Sequence, residues 1–283
     1  MGIDQHYSDH MDEETLLSQL RERYPEGPTI YQLAPIDQLH IGGIKASEKL
    51  LLQLEEIQPK RILEIGSGTG GLMRLISNRF NTEISAIEIT TVDITHRFNT
   101  LNRSITELFN KDISVRIVTC DAQQLPFADN SFDCIIFQHS LLNIPDTEDC
   151  LRECRRVMDT NSTLLLHEVI QGPNPKQMRY PVPWARTADQ SHLLTLTELT
   201  QRLEVSGFTL DNTDHWTEEA LAWRKRQTSK EKSTDTASPN KAPLISPAQI
   251  LGDDFNKMAP NLIANLSGGS IEVWQLSCSL QTA

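Results

Sequence analysis

The segment 61–72 (RILEIGSGTGGL) constrains the fold of this 283-residue chain more than any other feature. A short apolar run at 61–65 leads into four glycines within six residues, and an apolar helical pattern follows. Glycine is needed where the backbone must turn sharply and let a ligand approach closely. The helix that follows would present free N–H groups at its start. The segment therefore predicts a strand, a ligand-binding loop and a helix in succession.

The same alternation of apolar runs and helical patterns continues along much of the chain. Strand-like runs occupy 61–65, 83–88, 114–120, 132–137 and 162–167, and two more begin at Phe208 and Ser270. The segments between them carry apolar residues at spacings of three and four, which is typical of helices that bury one face. Strands that alternate with helices predict βαβ crossovers and a parallel sheet covered on both faces. The expected fold class is therefore α/β: a Rossmann-like, doubly wound, mainly parallel seven-stranded sheet with an N-terminal helical cap.

Composition and pattern divide the chain into four parts. Residues 1–58 hold helical patterns and form the predicted cap, and residues 59–223 form the Rossmann-like core. Residues 224–248 are polar and small, cannot bury enough apolar area to order themselves, and are predicted to be a flexible excursion. Residues 249–283 supply a last helix and strand that complete the core.

Net charge and the length of the apolar runs restrict the partners of the protein. The sequence has 26 Lys and Arg against 38 Asp and Glu, a net charge of −12. A surface of that sign repels phosphate backbones, so we expect a small-molecule partner and no nucleic acid. No run of about 18 apolar residues is present, so no membrane span is expected. The first residues lack the basic and apolar stretches of a secretory signal, and we expect a cytoplasmic protein.

The five cysteines are too few and too scattered to predict a disulfide framework. Cys150 and Cys154 are spaced to share one helix face, but no second pair of Cys or His completes a metal site in the sequence. We therefore expect ordinary thiols and no bound metal.

The glycine loop is compatible with two kinds of ligand. Gly66, Gly68 and Gly71 satisfy the G-x-G-x-x-G pattern of dinucleotide-binding loops. Glu64, however, lies near the end of the predicted strand, where it would repel a diphosphate and attract a cation. A cationic nucleoside is therefore favoured. An NAD(P)-dependent oxidoreductase and a non-catalytic cofactor-binding scaffold remain the alternatives.

Acidic residues after the loop are expected to bind the rest of a nucleoside. Glu88 is expected to end the second strand, about 20 residues after the loop, where a carboxylate can accept both hydroxyls of a ribose. Asp121 and Ala122 directly follow the third predicted strand and are suited to an adenine ring. The three positions together predict a nucleoside site along one edge of the sheet.

These elements, in this order, resemble the class I S-adenosylmethionine-dependent methyltransferases. The shared features are the acidic-x-G-x-G-x-G loop, the acidic end of the second strand, Asp-Ala after the third, and the Leu-Pro-Phe and Ser-Phe-Asp sequences of 125–133. The resemblance spans residues 60–168. A weaker similarity, to small-molecule N-methyltransferases of the sarcosine/dimethylglycine type, rests on 37–43, 250–255 and 261–262.

The resemblance implies S-adenosyl-L-methionine as the cofactor and a small-molecule methyl acceptor. The cofactor-binding residues that it implies are Glu64, Gly66, Ser67, Gly68, Gly70, Glu88, Asp121, Ala122 and Gln138. The backbone of the loop would hold the methionine part, and Glu88 would hold the ribose. Asp121 and Ala122 would hold the adenine, while Gln138 would line the site opposite the methionine end.

The inferred reaction is an in-line displacement at the sulfonium methyl group by a nucleophile of the acceptor. Because a sulfonium is already activated, the protein mainly aligns the reactants and excludes water. The candidate general bases are His139, which is the first choice, His167 and His40, since a histidine pKa suits proton transfer near neutral pH. The candidates for cation–π contact with the methyl-bearing cation are Tyr31, Tyr180 and Trp184. The patterns specify neither the accepting atom nor the oligomeric state.

Overall fold

The computed structural model describes residues 11–80, 87–109, 113–234, 245–252 and 254–281, with the side chains of 230–234 outside the description. The strands of this part are β1 (Arg61–Ile65), β2 (Glu88–Asp93), β3 (Val115–Thr119), β4 (Phe132–Gln138), β5 (Met158–Gln171), β6 (Phe208–His215) and β7 (Ile271–Leu280). The helices are α1 (Glu13–Arg23), α2 (Ile30–Asp37), α3 (Ile44–Ile57), α4 (Gly71–Phe80), α5 (His96–Phe109), α6 (Thr147–Val157), α7 (Leu196–Val205), α8 (Thr217–Thr234), α9 (Ala248–Leu251) and α10 (Phe255–Ser267).

The seven strands form one sheet in the order β3-β2-β1-β4-β5-β7-β6. Strands β1 to β5 pair in parallel, and β7 runs antiparallel between β5 and β6. The strand order reverses between β1 and β4, and ligands of open α/β sheets bind at the carboxyl ends of the strands beside such a reversal. The predicted fold class, a Rossmann-like and mainly parallel seven-stranded sheet, is confirmed.

Alternate side chains of the central strands pack into separate apolar clusters. In β4, Ile135 and Phe137 belong to a cluster with α6 and α7, whereas Cys134 and Ile136 belong to a cluster with α3 and α4. All four side chains are fully buried. This burial on both faces is why β4 reads as a continuous apolar run in the sequence.

The second strand lies later in the sequence than the pattern predicts. The expected strand at 83–88 falls largely outside the described residues, and β2 begins at Glu88 instead of ending there. Its register pairs Glu88 with Arg61 and Val92 with Ile65, the last residue of β1. The β-branched run of 89–92 favours the extended conformation and is buried in the sheet, so it forms the strand interior.

The polar segment 224–248 is more ordered than its composition predicts. Helix α8 continues through its first eleven residues, to Thr234, and residues 235–244 lie outside the described part. Ala220 and Arg224, one helical turn apart, are both buried. Tertiary packing of one face therefore stabilises a helix whose composition alone suggests a solvated chain. After the gap, Ile245 is buried, so both described ends of the segment are more ordered than the expected flexible excursion.

Helices α1 to α3 form the expected N-terminal cap. Leu16, Leu20 and Leu33 of the cap are buried against Leu101 and Ile105 of α5, which covers the sheet at β2 and β3. The loop that joins α2 to α3 reaches the carboxyl edge of the sheet, where it forms part of the site described below. None of the described helices combines the length and the apolar character that crossing a bilayer requires.

Candidate functional site

A cavity of about 450 Å³ opens at the carboxyl ends of β1 to β4. This volume lies in the range of about 300–1,000 Å³ that small-molecule sites occupy. Its walls come from the loops that follow these strands, from residues 37–41 of the cap, from Pro183 and Trp184, and from Leu251. The predicted glycine loop therefore lies where an open α/β sheet binds its ligand.

The glycines of the loop after β1 serve two different purposes. Gly66, Gly68 and Gly70 all have positive φ angles, of 75°, 52° and 86°. A Cβ on Gly66 would overlap Ser140, and a Cβ on Gly70 would overlap Asn102, so both glycines allow close packing behind the loop. A Cβ on Gly68 would meet nothing within 4 Å, and this residue lines the cavity. The loop is thus tightly packed at Gly66 and Gly70 and open to a ligand at Gly68.

Two buried carboxyl groups of the cavity wall are incompletely satisfied. Glu64 of β1 is 4% exposed, and the Asp37 side chain at the end of α2 is 3% exposed. Oε2 of Glu64 and Oδ1 of Asp37 have no hydrogen-bond partner. Burial raises the pKa of Glu64 to about 8, with Arg74 opposing the shift and the nearby Asp93 adding to it. A cationic ligand would relieve this cost, because it favours the charged carboxylate.

The arginine nearest to these carboxyl groups is already engaged. Arg74 of α4 is fully buried and forms an ion pair with Asp37 at 3.1 Å. Its Nη1 donates to Asn102 Oδ1 and Thr106 Oγ1, both at 2.9 Å, and its Nη2 donates to the carbonyl oxygen of Thr69. Arg74 does not line the cavity, and no other Arg or Lys within the described ranges does. The cavity wall is therefore acidic at the glycine loop.

The acidic residue at the end of β2 is Asp93, not Glu88. Glu88 is exposed at the start of the strand, on the opposite edge of the sheet from the cavity. Asp93 lines the cavity, accepts a hydrogen bond from Gly68 N at 2.9 Å and accepts another from Thr95 N at 2.8 Å. The placement of Glu88 at the site is therefore wrong. In the sequence, the β-branched run 89–92 is followed directly by the acidic residue Asp93. A predicted second strand that included this run would therefore have ended at Asp93.

The structure brings most of the remaining predicted cofactor residues together. The cavity is lined by Glu64, Gly66, Ser67, Gly68, Asp121, Ala122 and Gln138. Gly70 lies behind the loop, where it packs on Asn102. The predicted residues thus come from the ends of β1, β3 and β4, and Asp93 supplies the end of β2.

The three predicted histidines form one cluster beside the cavity. His139 follows β4, His167 is part of β5, and His40 lies in the loop between α2 and α3. Their ring centroids are 5.0 to 6.0 Å apart, and the rings of His139 and His167 are stacked. Burial lowers the pKa of His40 to about 3 and that of His167 to about 4, and it lowers the pKa of His139 well below its usual value. All three rings are therefore neutral near pH 7.

Hydrogen bonds to the backbone determine which nitrogen of each ring carries the proton. Ile41 N donates to His139 Nδ1 at 3.3 Å, so the proton of His139 is on Nε2. His167 Nε2 donates to the carbonyl oxygen of Ile41 at 3.2 Å, and His40 Nε2 donates to that of Gly43 at 3.0 Å. His139 therefore offers an N–H donor, whereas His40 retains a lone pair on Nδ1. Of these two rings, both of which line the cavity, His40 is the one that can accept a proton.

Of the three aromatic candidates Tyr31, Tyr180 and Trp184, only Trp184 is among the described residues that line the cavity. It is 7% exposed, and its Nε1 donates to Ser191 Oγ at 3.2 Å. Tyr31 is 63% exposed and donates to Glu48 on the surface, so its proposed contact with a bound cation is wrong. Tyr180 packs on the apolar cluster that contains Trp184 without lining the cavity.

The cysteines are free thiols, and Cys120 contributes to the cavity wall. Cys150 and Cys154 are buried on α6. Among the residues with described positions, no group of three or more His, Cys, Asp or Glu side chains is arranged to hold a metal ion, and this includes the histidine cluster.

Residues 63–166 match the protein family described as "Methyltransferase domain". This match supports the resemblance of residues 63–166 to the class I S-adenosylmethionine-dependent methyltransferases. The match begins in β1 and ends in β5, and it includes the glycine loop, Asp93, Asp121 and His139.

Two other proteins are similar to this chain over part of their length. The chain is 33% identical over 122 residues to a demethylmenaquinone methyltransferase of Thermotoga maritima, covering 43% of this chain and 48% of that protein. It is 24% identical over 271 residues to polyketide synthase 19 of Gibberella fujikuroi, covering 89% of this chain and 11% of the synthase. The chain thus spans about half, or much less, of these relatives.

A solved structure described as a sarcosine dimethylglycine methyltransferase from Galdieria sulphuraria superposes with a TM-score of 0.68 at 15% identity. The superposition covers 86% of this chain and 92% of that one. It supports the fold of the class I methyltransferases over nearly the whole chain.

Proposed function

We propose that this protein is an S-adenosylmethionine-dependent methyltransferase that acts on a small-molecule acceptor. The observation that carries the proposal is the acidic wall at the glycine loop, where Asp37, Glu64 and Asp93 surround one end of the cavity. S-adenosylmethionine is positively charged at its sulfonium and its ammonium, whereas the diphosphate of a nicotinamide dinucleotide is negative. Coulomb attraction therefore favours the methyl donor at this wall.

The lining residues suit each part of this cofactor. The backbone at Gly66 and Gly68 would hold the methionine part, and Glu64, whose Oε2 has no partner, would supply a negative charge near its positive charge. Asp93 takes the role at the ribose that the sequence suggested for Glu88. Asp121 and Ala122, which line the cavity, would border the adenine ring, as the family resemblance implies.

The bound cofactor supplies a methyl group already activated for displacement. The protein then orients the acceptor, excludes water and removes a proton where the acceptor requires it. Trp184 covers the cavity from the connection between β5 and β6, and its ring face can stabilise a nearby cation. Of the two lining histidines, only His40 keeps a free ring acceptor, Nδ1, because Nδ1 of His139 already accepts the amide hydrogen of Ile41. A pKa of about 3 makes His40 a weak base, so the alignment of the reactants and the exclusion of water carry most of the catalysis.

Calorimetry with two ligands tests the proposal. We expect S-adenosylhomocysteine to bind with one-to-one stoichiometry and NAD⁺ not to compete with it. Binding of NAD⁺ at this site without binding of S-adenosylhomocysteine would contradict the proposal. Turnover is then tested with S-adenosylmethionine that carries a labelled methyl group, added to a metabolite extract, and a labelled small-molecule product is expected.

The nature of the partner and the location of the protein remain predictions. The net charge of −12 supports a small-molecule acceptor over a nucleic acid.

A further inference from the structure

The cavity has two halves of different electrostatic character. The carboxyl groups among its described lining residues are those of Asp37, Glu64, Asp93 and Asp121, which lie at α2, β1, β2 and β3. The other half is formed by the lining residues of 39–41, 138–145 and 183–184, together with Leu251. These three segments contain no Asp, Glu, Lys or Arg. We call this part the uncharged half.

The sheet order explains this separation. Strands β3, β2 and β1 lie on one side of the reversal in strand order, and β4 and β5 lie on the other. The uncharged half follows β4 and is linked to β5 by hydrogen bonds. Ile41 N donates to His139 after β4, and the carbonyl oxygen of Ile41 accepts from His167 of β5. A cofactor held by the first three strands therefore leaves the uncharged half for the acceptor.

The wall of the uncharged half is mainly apolar. Leu39, Ile41, Leu142, Ile144 and Trp184 line it. Its histidines are neutral, because burial lowers the pKa of both His40 and His139. A phosphate or carboxylate in this half would find no cation to pair with among the described lining residues, and it would lie near the acidic wall. Transfer of an unpaired anion from water into such a site is strongly unfavourable.

His139, a lining residue of this half, carries one unsatisfied hydrogen-bond donor. Its Nδ1 accepts from Ile41, and its Nε2 is buried and has no partner. The turn that carries His139 is fixed, because Glu168 Oε1 accepts from the N–H groups of Ser140 and Leu141, both at 2.9 Å. A buried donor without a partner destabilises the protein, and a hydrogen bond to an oxygen of a ligand would recover this loss.

We propose that the uncharged half binds a neutral, mainly apolar acceptor with a hydroxyl or carbonyl oxygen that accepts a hydrogen bond from His139 Nε2. Phosphorylated and carboxylated acceptors are excluded by the same wall. This inference rests on the proposed function, since it assumes that the acidic half holds the cofactor.

A pair of probes with the same ring system tests the charge of the acceptor. The protein is saturated with S-adenosylhomocysteine, and 1-naphthol and 1-naphthyl phosphate are titrated separately by calorimetry. We expect 1-naphthol to bind at least about tenfold more tightly than the phosphate, which corresponds to about 1.4 kcal/mol. Equal or tighter binding of the phosphate overturns the proposal, and so does the absence of 1-naphthol binding up to its solubility limit.

A substitution tests the hydrogen bond from His139. His139 has a φ angle of 54°, and asparagine tolerates this conformation better than other non-glycine residues. We expect His139→Asn to reduce the preference for 1-naphthol over naphthalene to near unity, while binding of naphthalene and S-adenosylhomocysteine is retained. The control is His215→Asn on the exposed edge strand β6, which should keep the full preference. An unchanged preference in His139→Asn overturns the assignment of the donor.

The two proposals can fail separately. If S-adenosylhomocysteine does not bind, the proposed function is wrong, and the two naphthyl probes are compared in the ligand-free protein. If S-adenosylhomocysteine binds and the phosphate is preferred, the cofactor assignment stands and the acceptor class is wrong.

Discussion

Glu64 illustrates how a single buried side chain determines which ligand a site accepts. Its carboxyl group is held in a wall with Asp37 and Asp93, and its Oε2 atom has no partner. Burial raises its pKa to about 8, so the group is largely protonated at pH 7 in the ligand-free protein. A bound cation would shift it to the charged form.

Cofactor affinity should therefore depend on pH through Glu64. Below pH 8 the carboxyl group must release a proton before it can pair with the ammonium of S-adenosylhomocysteine. We expect the affinity to rise with pH by up to about tenfold per unit and to level off above pH 8. Calorimetry in buffers of different ionisation enthalpy would count the released proton.

Glu64→Gln should flatten this pH dependence. Glu55→Gln is a matched control, because Glu55 forms a surface ion pair with Arg79 and does not line the cavity. A pH dependence that survives in Glu64→Gln would contradict this role.

Asp93 and Glu88 differ in their position along the same strand, and their substitutions should differ accordingly. Asp93→Asn removes a carboxylate from the cavity and weakens the bond to Gly68 N, so we expect S-adenosylhomocysteine to bind at least about tenfold more weakly. Glu88→Gln is the matched control, since Glu88 is exposed at the start of β2. Isothermal titration of both variants checks the assignment, and an effect confined to Glu88→Gln would restore the sequence-based placement.

At the scale of elements, the loop between β1 and α4 is specified by glycines with different environments. A left-handed conformation costs an alanine about 1–2 kcal/mol at either Gly66 or Gly68. At Gly66 the new Cβ would also overlap Ser140, whereas at Gly68 it has free space. Overpacking in a closely packed region costs about 1–3 kcal/mol more.

We therefore expect Gly66→Ala to reduce the free energy of unfolding clearly more than Gly68→Ala does. Urea denaturation of the two variants measures the difference, which should be about 1–3 kcal/mol. Equal losses would mean that the loop shifts to accommodate the methyl group at Gly66.

Helix α7 is an element whose ends can be predicted from residues that are adjacent in the sequence. Thr195 and Glu198 form a capping box at its start, with Thr195 Oγ1 accepting from Glu198 N and the Glu198 side chain accepting from Thr195 N. Gly207 follows its end with a φ of 86°. Each signal lies within a few residues of the boundary it determines, so the sequence suffices.

At the scale of the whole molecule, one buried ion pair joins the N-terminal cap to the sheet domain. Asp37 ends α2 of the cap, and Arg74 lies in α4 behind the glycine loop. A second link is the hydrogen bond from Thr69 Oγ1 to the carbonyl oxygen of Ile36. The cap therefore positions the cavity wall and the loop together.

Arg74→Met should strongly destabilise the protein, because it leaves Asp37 buried without its cation. We expect a loss of about 3–5 kcal/mol in the free energy of unfolding. Burial raises the pKa of Asp37, and the nearby Arg74 opposes this shift. Without Arg74 the pKa of Asp37 rises further, so its carboxyl group favours the protonated form. Unfolding experiments should then show a larger loss at pH 8 than at pH 5.

Two further variants serve as controls for this prediction. Arg79→Met breaks the exposed pair with Glu55 and should cost less than about 1 kcal/mol. Combining Arg74→Met with Asp37→Asn should recover part of the loss, since no buried charge then remains. A cost for Arg74→Met as small as that for Arg79→Met would rule out the pair as a major link.

The sequence by itself determined the α/β class, the strand–loop–helix unit at the glycines and a set of twelve site residues, of which nine line the cavity. These features depend on local periodicity, on glycine conformation and on residues that directly follow strands. The tertiary structure alone decided that β2 extends to Asp93, that α8 continues into a polar segment, and that His139 donates where His40 can accept. The reason is physical: strand register, burial of one helix face and the proton positions of the histidines depend on partners distant in the sequence, namely β1, the packed core and the backbone of the cap loop.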